Sequence, residues 1–371
     1  MLRALPFLFL PLLLAAYERA QSTATGPGAA PTGSSKPPDL PAPDLSQPYT
    51  NKEVTWPLDD TTMAATLTRP AGDGPFPAVV FVAGSGPTDR DWNSPLLPGH
   101  NGSAALLADE LTRAGYATLR YDKRVTGPFA QQNLPALQGK ISFQSHLEEF
   151  ASAVDYLAAL PQVDPAQLYV LASSEGTLHA MNYQTSEPAV PFAGLILTGA
   201  PGRSLAVVLH QQIDQTMLAA GPDHDELLSK WDRAVAAFIA GEAVELDPAL
   251  PENVRQVWAG LTAPFNQPFS AELLAARPAD LLAKITVPVL VMIGQKDIQV
   301  DWQADGGALE AAAGDNVTFS YPPDANHVLK HEEKPAAELG AADVATYNAA
   351  DRVLDPLALQ TILAWLAARR G

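Results

Sequence analysis

A serine at a predicted strand-to-helix turn is the first residue whose type and setting could carry chemistry. The run Gln167–Leu171 is short and apolar, which predicts a buried parallel strand. The segment Thr177–Tyr183 is predicted to be a helix, and residues 172–176, ASSEG, connect the two. A serine at the apex of such a sharp turn exposes its hydroxyl and can act as a nucleophile. The alternative interpretation is an ordinary strand–turn–helix in which the serine only caps the helix.

The flanking residues decide which of two adjacent serines is the candidate. Strand and helix backbones nearly touch at such a turn, so the residues two positions to either side must be small. Ser174 has Ala172 and Gly176 at these positions, whereas Ser173 would have a leucine and a glutamate. We therefore predict that Ser174 is the nucleophile.

A serine hydroxyl is a poor nucleophile at neutral pH, so it needs a base and a carboxylate that orients the base. Asp297 follows almost directly after Val287–Ile293, a run that predicts a buried strand. Ligand sites in open α/β sheets gather at the carboxyl ends of the strands. Asp297 is therefore the predicted acid, with a turn-capping aspartate as the alternative.

Two histidines compete for the role of the base. His327 lies in a loop just after the predicted strand Val317–Tyr321 and has apolar neighbours. His331, four residues further on, lies in a charged run that is typical of a solvated surface. A loop position directly after a strand suits a base that must reach the nucleophile, so we predict His327.

Backbone amides could stabilise the oxyanion of a tetrahedral intermediate. One predicted donor is the amide of Glu175, which follows the nucleophile at the start of a helix. The second is the amide of Ser85, in a loop that follows the predicted strand Phe76–Val82 and contains Gly84 and Gly86. A plain tight turn is the alternative for this loop. We expect the Glu175 carboxylate to point away from the oxyanion.

Charged residues lie in this loop and at the end of a neighbouring predicted strand. They are residues 89–91, DRD, and residues 122–124, DKR. Because charges near a buried site are usually paired, we predict that the two groups pair with each other and tie the loop to the strand. Substrate binding by the loop charges is the alternative.

The composition excludes several classes of function. The 371 residues carry a formal net charge of −18, so nucleic acid is not expected as a partner. The chain has no cysteine, which excludes disulfides, thiolate metal sites and a cysteine nucleophile. The predicted chemistry needs neither a metal nor an organic cofactor. The oligomeric state is left open.

The first 48 residues are predicted to precede the folded domain. In residues 1–20, Arg3 is followed by the apolar run Ala4–Ala16, which prolines interrupt and which is too short for a transmembrane helix. We expect a signal peptide, export to the periplasm or the extracellular space, and no stable membrane insertion after processing. An uncleaved anchor is the alternative. Residues 21–48 are rich in Pro, Ser, Gly and Thr, which predicts a flexible linker.

Strands alternate with helices over residues 49–371, which predicts an α/β domain with a mostly parallel sheet and helices on both faces. Residues 203–285 interrupt the alternation and are predicted to be a helical insertion. Its aromatic residues are expected to form mostly its own core. The remaining predicted strands are Glu53–Pro57, Thr61–Arg69, Tyr116–Tyr121 and Phe192–Thr198, and the remaining predicted helices are Ser103–Ala114, Phe143–Leu160, Ala308–Ala313 and Leu357–Arg370.

Four segments together resemble the α/β-hydrolase superfamily, in particular its esterase-like members. They are AGSGPTDRD at Ala83–Asp91, YDKR at Tyr121–Arg124, GQKDIQV at Gly294–Val300 and ANHVLK at Ala325–Lys330. The resemblance extends from about residue 49 to the C-terminus in element order. It implies the α/β-hydrolase fold, with residues 203–285 as a helical cap.

The resemblance assigns the family's catalytic serine, acid and histidine to Ser174, Asp297 and His327. Two positions depart from the family pattern. Ala172 replaces a commoner glycine, which is sterically tolerable. Ala83 replaces a histidine often found before the glycines of the oxyanion loop, and because the donors there are amides, this departure bears on substrate preference.

These observations predict a serine hydrolase that cleaves a small-molecule carboxylic ester through an acyl-enzyme. Two alternatives stay open. One is a serine peptidase or amidase of the same fold, since the same three residues would serve both reactions. The other is a non-catalytic binding module that retains the fold.

Overall fold

The computed structural model describes residues 49–217 and 223–370. The predicted signal peptide at 1–20 and the predicted linker at 21–48 lie outside the described residues. Within the described ranges, no helix combines the length and the apolar character needed to cross a bilayer.

In the described residues, eight strands form one sheet. The strands are β1 Tyr49–Leu58, β2 Thr61–Pro70, β3 Phe76–Val82, β4 Ala117–Tyr121, β5 Val163–Ser173, β6 Gly194–Thr198, β7 Val289–Met292 and β8 Val317–Ser320. Their order across the sheet is β1-β2-β4-β3-β5-β6-β7-β8. The β1–β2 hairpin and the β2–β4 pair are antiparallel, and every neighbouring pair from β4 to β8 is parallel.

Eleven helices of the described chain surround the sheet or lie between its strands. They are α1 Ser103–Arg113, α2 Ala130–Leu137, α3 Phe143–Ala158, α4 Gly176–Thr185, α5 Leu205–Met217, α6 His224–Ile239, α7 Glu252–Leu261, α8 Phe269–Ala275, α9 Pro278–Leu282, α10 Ala304–Ala312 and α11 Pro356–Ala367. Short 3₁₀ turns lie at Pro264–Asn266, Ala336–Glu338 and Ala341–Thr346.

The apolar strand β3 shows how the sheet is covered on both faces. Alternate side chains of a strand point to opposite faces. Val80 packs in a core with Phe150 and Val154 of α3, whereas Phe81 packs in a second core with Leu107 of α1 and Ile362 of α11. The predicted α/β class, with a mostly parallel sheet and helices on both faces, is confirmed.

The described chain between β6 and β7 contains helices α5–α9 and no strand. These helices, here called the cap, have a core of their own that includes Trp231 and Trp258, whose ring centroids are 5.9 Å apart. Phe238 packs against Trp258 at 5.5 Å. Phe269 instead packs against Phe143 of α3, with ring centroids 5.4 Å apart. The cap therefore has its own core and also contacts the helical layer beside the sheet.

Helix α2 is an α-helix of the described chain that the sequence analysis did not predict. It contains Pro135, and Phe129 at its start provides no side-chain cap. Its position depends on Asn133, which accepts a hydrogen bond from the Thr62 amide and donates to the Thr62 carbonyl, both at 2.9 Å. A distant contact of this kind leaves no periodic signal in the local sequence.

Candidate active site

Ser174 lies at the turn that joins β5 to α4. Its φ is +54°, a left-handed conformation that is strained for a residue with a side chain. A Cβ at Gly176 would lie 2.6 Å from the Ala83 carbonyl oxygen, and a Cβ at Gly84 would lie 3.1 Å from Ser174 Cβ. The close approach at Gly176 agrees with the predicted need for small flanking residues, and Gly84 is a further small residue, from the loop after β3, that packs against Ser174.

Asp297 and His327 form a buried hydrogen-bonded pair. His327 Nδ1 lies 2.7 Å from Asp297 Oδ2, and both side chains are almost fully shielded from solvent. The other oxygen, Asp297 Oδ1, accepts the backbone amides of Gln299 at 2.7 Å and Val300 at 2.9 Å. The acid is therefore held by its own loop, and its free oxygen faces the imidazole.

The loop after β8 presents His327 through local hydrogen bonds. Asn326 Oδ1 accepts the amides of Val328 at 3.1 Å and Lys330 at 2.9 Å. On the other side of the ring, a Cβ at Gly199 would lie 3.0 Å from His327 Nδ1 and Cε1. Gly199 follows β6 and adopts φ +52°. The sequence analysis did not identify this glycine, which leaves room for the imidazole.

The rival histidine has a different role in the fold. His331 Nδ1 lies 3.1 Å from Asp355 Oδ2. Asp355 caps α11 by accepting the amide of Ala358 at 2.9 Å. His331 therefore belongs to the anchoring of a helix end, away from Asp297.

Ser174 and His327 line the same pocket, together with Gly84, Ser85 and Gln299. In the described part of the chain, no hydrogen bond joins the Ser174 hydroxyl to the His327 ring. In structures without substrate, catalytic hydrogen bonds are often long and tighten only when substrate binds. The structure therefore brings the predicted nucleophile and base to one pocket, without a hydrogen bond between their side chains.

The two predicted oxyanion donors line an adjoining pocket beside Ser174. Among the hydrogen bonds of the described chain, none is donated by the amides of Ser85 or Glu175. Unused amides at a helix start and in a glycine-containing loop suit a developing negative charge. The rest of this pocket is mainly apolar and includes cap residues such as Leu205 and Leu273.

The predicted pairing between the loop charges and the strand-end charges is correct for one strand-end residue. Arg90 binds Asp122 through Nε at 2.9 Å and Nη2 at 2.6 Å. The prediction is wrong for the next two residues. Lys123 pairs with Glu175 at 3.4 Å, and Arg124 pairs with Glu149 of α3 at 2.9 Å.

The Glu175 carboxylate lies in a buried charge network. Its Oε1 accepts from Lys123 Nζ at 3.4 Å and lies 3.3 Å from His179 Nε2. Burial alone would raise the pKa of Glu175, but the Lys123 ammonium and the His179 hydrogen bond outweigh it and hold the pKa well below its usual range. Burial lowers the pKa of His179 to about 4. At neutral pH Glu175 is therefore ionised and the His179 imidazole beside it is neutral.

Within residues 49–217 and 223–370, no group of three or more side chains is arranged to hold a metal ion. Ser174, Asp297 and His327 all follow parallel strands at the carboxyl edge of the sheet. Residues 79–342 match the model of the Alpha/beta hydrolase family. The chain belongs to this family.

Several characterised proteins are similar to the chain. Esterase EstD of Thermotoga maritima is 26% identical over 291 residues, which are 77% of this chain and 62% of that protein. The chain therefore matches less than two thirds of the length of that relative. The structure of proline iminopeptidase from Mycobacterium smegmatis has a TM-score of 0.50 and 16% identity, covering 86% of this chain and 98% of that one. Est1E from Butyrivibrio proteoclasticus with ferulic acid bound has a TM-score of 0.48 and 18% identity, covering 85% and 99%.

Proposed function

We propose that the protein is a serine hydrolase that cleaves carboxylic esters through an acyl-enzyme. The observation that carries the proposal is the buried Asp297–His327 hydrogen bond of 2.7 Å, whose histidine lines the same pocket as Ser174. The strained turn at Ser174 adds to this support, because strain of this kind clusters at functional sites.

In the proposed mechanism, Ser174 Oγ attacks the ester carbonyl while His327 Nε2 takes its proton. Asp297 holds the Nδ1–H tautomer and stabilises the imidazolium that forms. The amides of Ser85 and Glu175 donate to the oxyanion of the tetrahedral intermediate. His327 then protonates the departing alcohol. In the second half of the reaction, His327 takes a proton from the water that attacks the acyl-enzyme and returns it to Ser174 Oγ as the carboxylic acid leaves.

The charges around the pocket favour an ester over an aminoacyl amide. Recognition of a free substrate ammonium needs a carboxylate that is not already paired. The two carboxylates that line the pocket beside Ser174 are both bonded to cations: Glu175 to Lys123 at 3.4 Å, and Asp305 to Arg203 at 2.8 Å. The mainly apolar remainder of the pocket suits the hydrocarbon part of a small-molecule ester.

Replacing Ser174 with alanine tests the nucleophile. We expect wild-type protein to hydrolyse short-chain p-nitrophenyl esters and Ser174→Ala to lose nearly all of this turnover with its thermal unfolding unchanged. A fluorophosphonate probe should label wild type and Ser173→Ala, and it should not label Ser174→Ala. Retained activity in Ser174→Ala would reject the nucleophile, and an unlabelled wild type would favour a non-catalytic binding module.

A substrate panel tests the ester preference. Wild-type protein is assayed with p-nitrophenyl esters and with aminoacyl p-nitroanilides at matched concentrations. We expect the ester-to-anilide ratio of kcat/KM to exceed the ester-to-anilide ratio of the rate constants for hydrolysis by hydroxide. A preference for the anilides would assign the protein to the peptidases or amidases of the family.

We also propose that residues 1–20 direct export and are removed. The mass of the mature protein recovered from the periplasm or the medium would give the cleavage position. Recovery of full-length protein from the cytoplasm alone would contradict this proposal.

A further inference from the structure

Lys123 makes three contacts that converge on the proposed oxyanion site. It follows β4, and its side chain is only 6% exposed. Its Nζ donates to the carbonyl oxygen of Gly84 at 2.5 Å, to that of Gly86 at 3.4 Å, and to Glu175 Oε1 at 3.4 Å. An ammonium has three hydrogens, so these three acceptors use its full donor capacity.

The hydrogen bond to the Gly84 carbonyl also fixes the direction of the Ser85 N–H. The Gly84 carbonyl and the Ser85 N–H belong to one planar trans peptide, so they point in opposite directions. Holding the oxygen with a charged donor on one side therefore aims the Ser85 N–H to the other side. Ser85 lines the pocket that contains Ser174, so an N–H aimed away from Lys123 is available to that pocket.

The contact with Glu175 reaches the other proposed donor. Glu175 is the residue whose amide precedes α4, and its carboxylate is bonded to Lys123 and His179. Strand β3 lies between β4 and β5 in the sheet, so the loop after β3 begins between the ends of the strands that precede Lys123 and Glu175. One buried ammonium therefore connects the two chain segments that carry the two amides.

We propose that Lys123 is a positioning residue that fixes both oxyanion donors relative to Ser174. The proposal rests on the serine-hydrolase function proposed above. Lys123 is expected to affect kcat and not KM. Its ammonium contacts protein acceptors, and the amides that it positions act only on the oxyanion of the transition state. Loss of one oxyanion donor typically costs about 10²–10³-fold in kcat. Lys123→Met keeps both amides but removes the hydrogen bonds to the Gly84 carbonyl and the Glu175 carboxylate that hold their segments in place. We therefore expect kcat to fall about 10–100-fold.

The test compares Lys123→Met with Lys284→Met, which replaces an exposed lysine. Active enzyme is counted by fluorophosphonate labelling taken to completion, so that kcat is expressed per active serine. We expect Lys123→Met to lower kcat per active serine with KM within about twofold of wild type. Inhibition by a trifluoromethyl ketone, which forms an oxyanion on the serine, should weaken by the same factor as kcat/KM. Lys284→Met should match wild type in every measurement.

The absence of cysteine from the chain permits a selective rescue. Lys123→Cys is unfolded, alkylated with 2-bromoethylamine to restore an ammonium at the same reach, and refolded. We expect the alkylated protein to recover most of the lost kcat, while the unalkylated protein and wild type treated in parallel do not change. Recovery of kcat would show that the charge acts at this position.

The outcomes separate this inference from the function on which it rests. If wild type is inactive, or if Ser174→Ala is as active as wild type, the proposed function fails first. If wild type is active and folded Lys123→Met keeps its kcat per active serine, the positioning role is wrong. If Lys123→Met does not fold, the unalkylated Lys123→Cys protein, which has no donor of the same reach, takes its place, and an unchanged kcat per active serine in that variant has the same meaning.

Discussion

Replacing Asp297 with asparagine tests how His327 is oriented, and the structure determines which way the new side chain must face. Asp297 Oδ1 accepts two backbone amides, from Gln299 at 2.7 Å and Val300 at 2.9 Å. An asparagine keeps both bonds only if its oxygen takes the place of Oδ1. Its NH₂ group then faces His327 Nδ1 and donates to it, whereas the carboxylate accepts a hydrogen bond from Nδ1–H at 2.7 Å.

The reversed hydrogen bond puts the imidazole in the wrong tautomer. With Nδ1 as an acceptor, the ring proton moves to Nε2, which can then no longer accept the proton of Ser174. In serine proteases the same exchange lowers kcat by about 10⁴. At about 1.36 kcal/mol for each factor of ten, this corresponds to about 5.4 kcal/mol of transition-state stabilisation. KM should change little, because neither oxygen of Asp297 faces the substrate.

The assay is steady-state hydrolysis of p-nitrophenyl butyrate, with thermal unfolding measured on the same samples. Asp301→Asn is the matched control. Asp301 lies in the same loop, and its Oδ1 accepts two amides, from Gln303 at 2.9 Å and Ala304 at 3.1 Å, without a histidine partner. A folded Asp297→Asn variant with kcat within tenfold of wild type would refute this account of His327.

Three further predictions concern stability. Gly176→Ala should lower the free energy of unfolding by about 1–3 kcal/mol or more, because the added Cβ would lie 2.6 Å from the Ala83 carbonyl oxygen. Gly260→Ala in α7 meets nothing within 4 Å and should raise it by about 0.5–1 kcal/mol; denaturant titration that ranks the two variants the other way would contradict both. Burial lowers the pKa of His179 to about 4, so the unfolded chain takes up a proton below about pH 6.5 that the fold excludes. Stability should therefore fall between about pH 6.5 and 4, by up to about 3 kcal/mol from this residue, and His179→Gln should have a shallower slope in the same titration.

Strands and catalytic candidates were predictable where the local sequence carries the determining pattern. The predicted strand Phe76–Val82 is confirmed residue for residue as β3, because a continuous apolar run is bounded by polar segments on both sides. Asp297 and His327 were chosen because each follows a predicted strand, and the structure places them 2.7 Å apart. Parallel strands that end at the same edge make such a meeting predictable from their order alone.

The Lys123 contacts were not predictable in the same way. Lys123 and Glu175 are 52 residues apart in the sequence. Their contact depends on the sheet order β4-β3-β5, in which β4 and β5 lie on opposite sides of β3. Local charge patterns instead favoured pairing with residues 89–91, which is correct for Asp122 only. Topology could have supplied the missing signal, because it places the loop after β3 between the ends of its two neighbours.

A carboxylate on the residue proposed to supply an oxyanion amide would by itself oppose the proposed catalysis. Two like charges about 4 Å apart repel by about 4 kcal/mol at an effective dielectric constant of 20. The Glu175 carboxylate is ionised, since the Lys123 ammonium outweighs burial and keeps its pKa low, and His179 is neutral at pH 7. The ammonium is bonded to that carboxylate and also to the Gly84 carbonyl next to the second amide. The two charges therefore offset each other, and the ammonium removes most of the repulsion that the Glu175 carboxylate would exert on the proposed oxyanion.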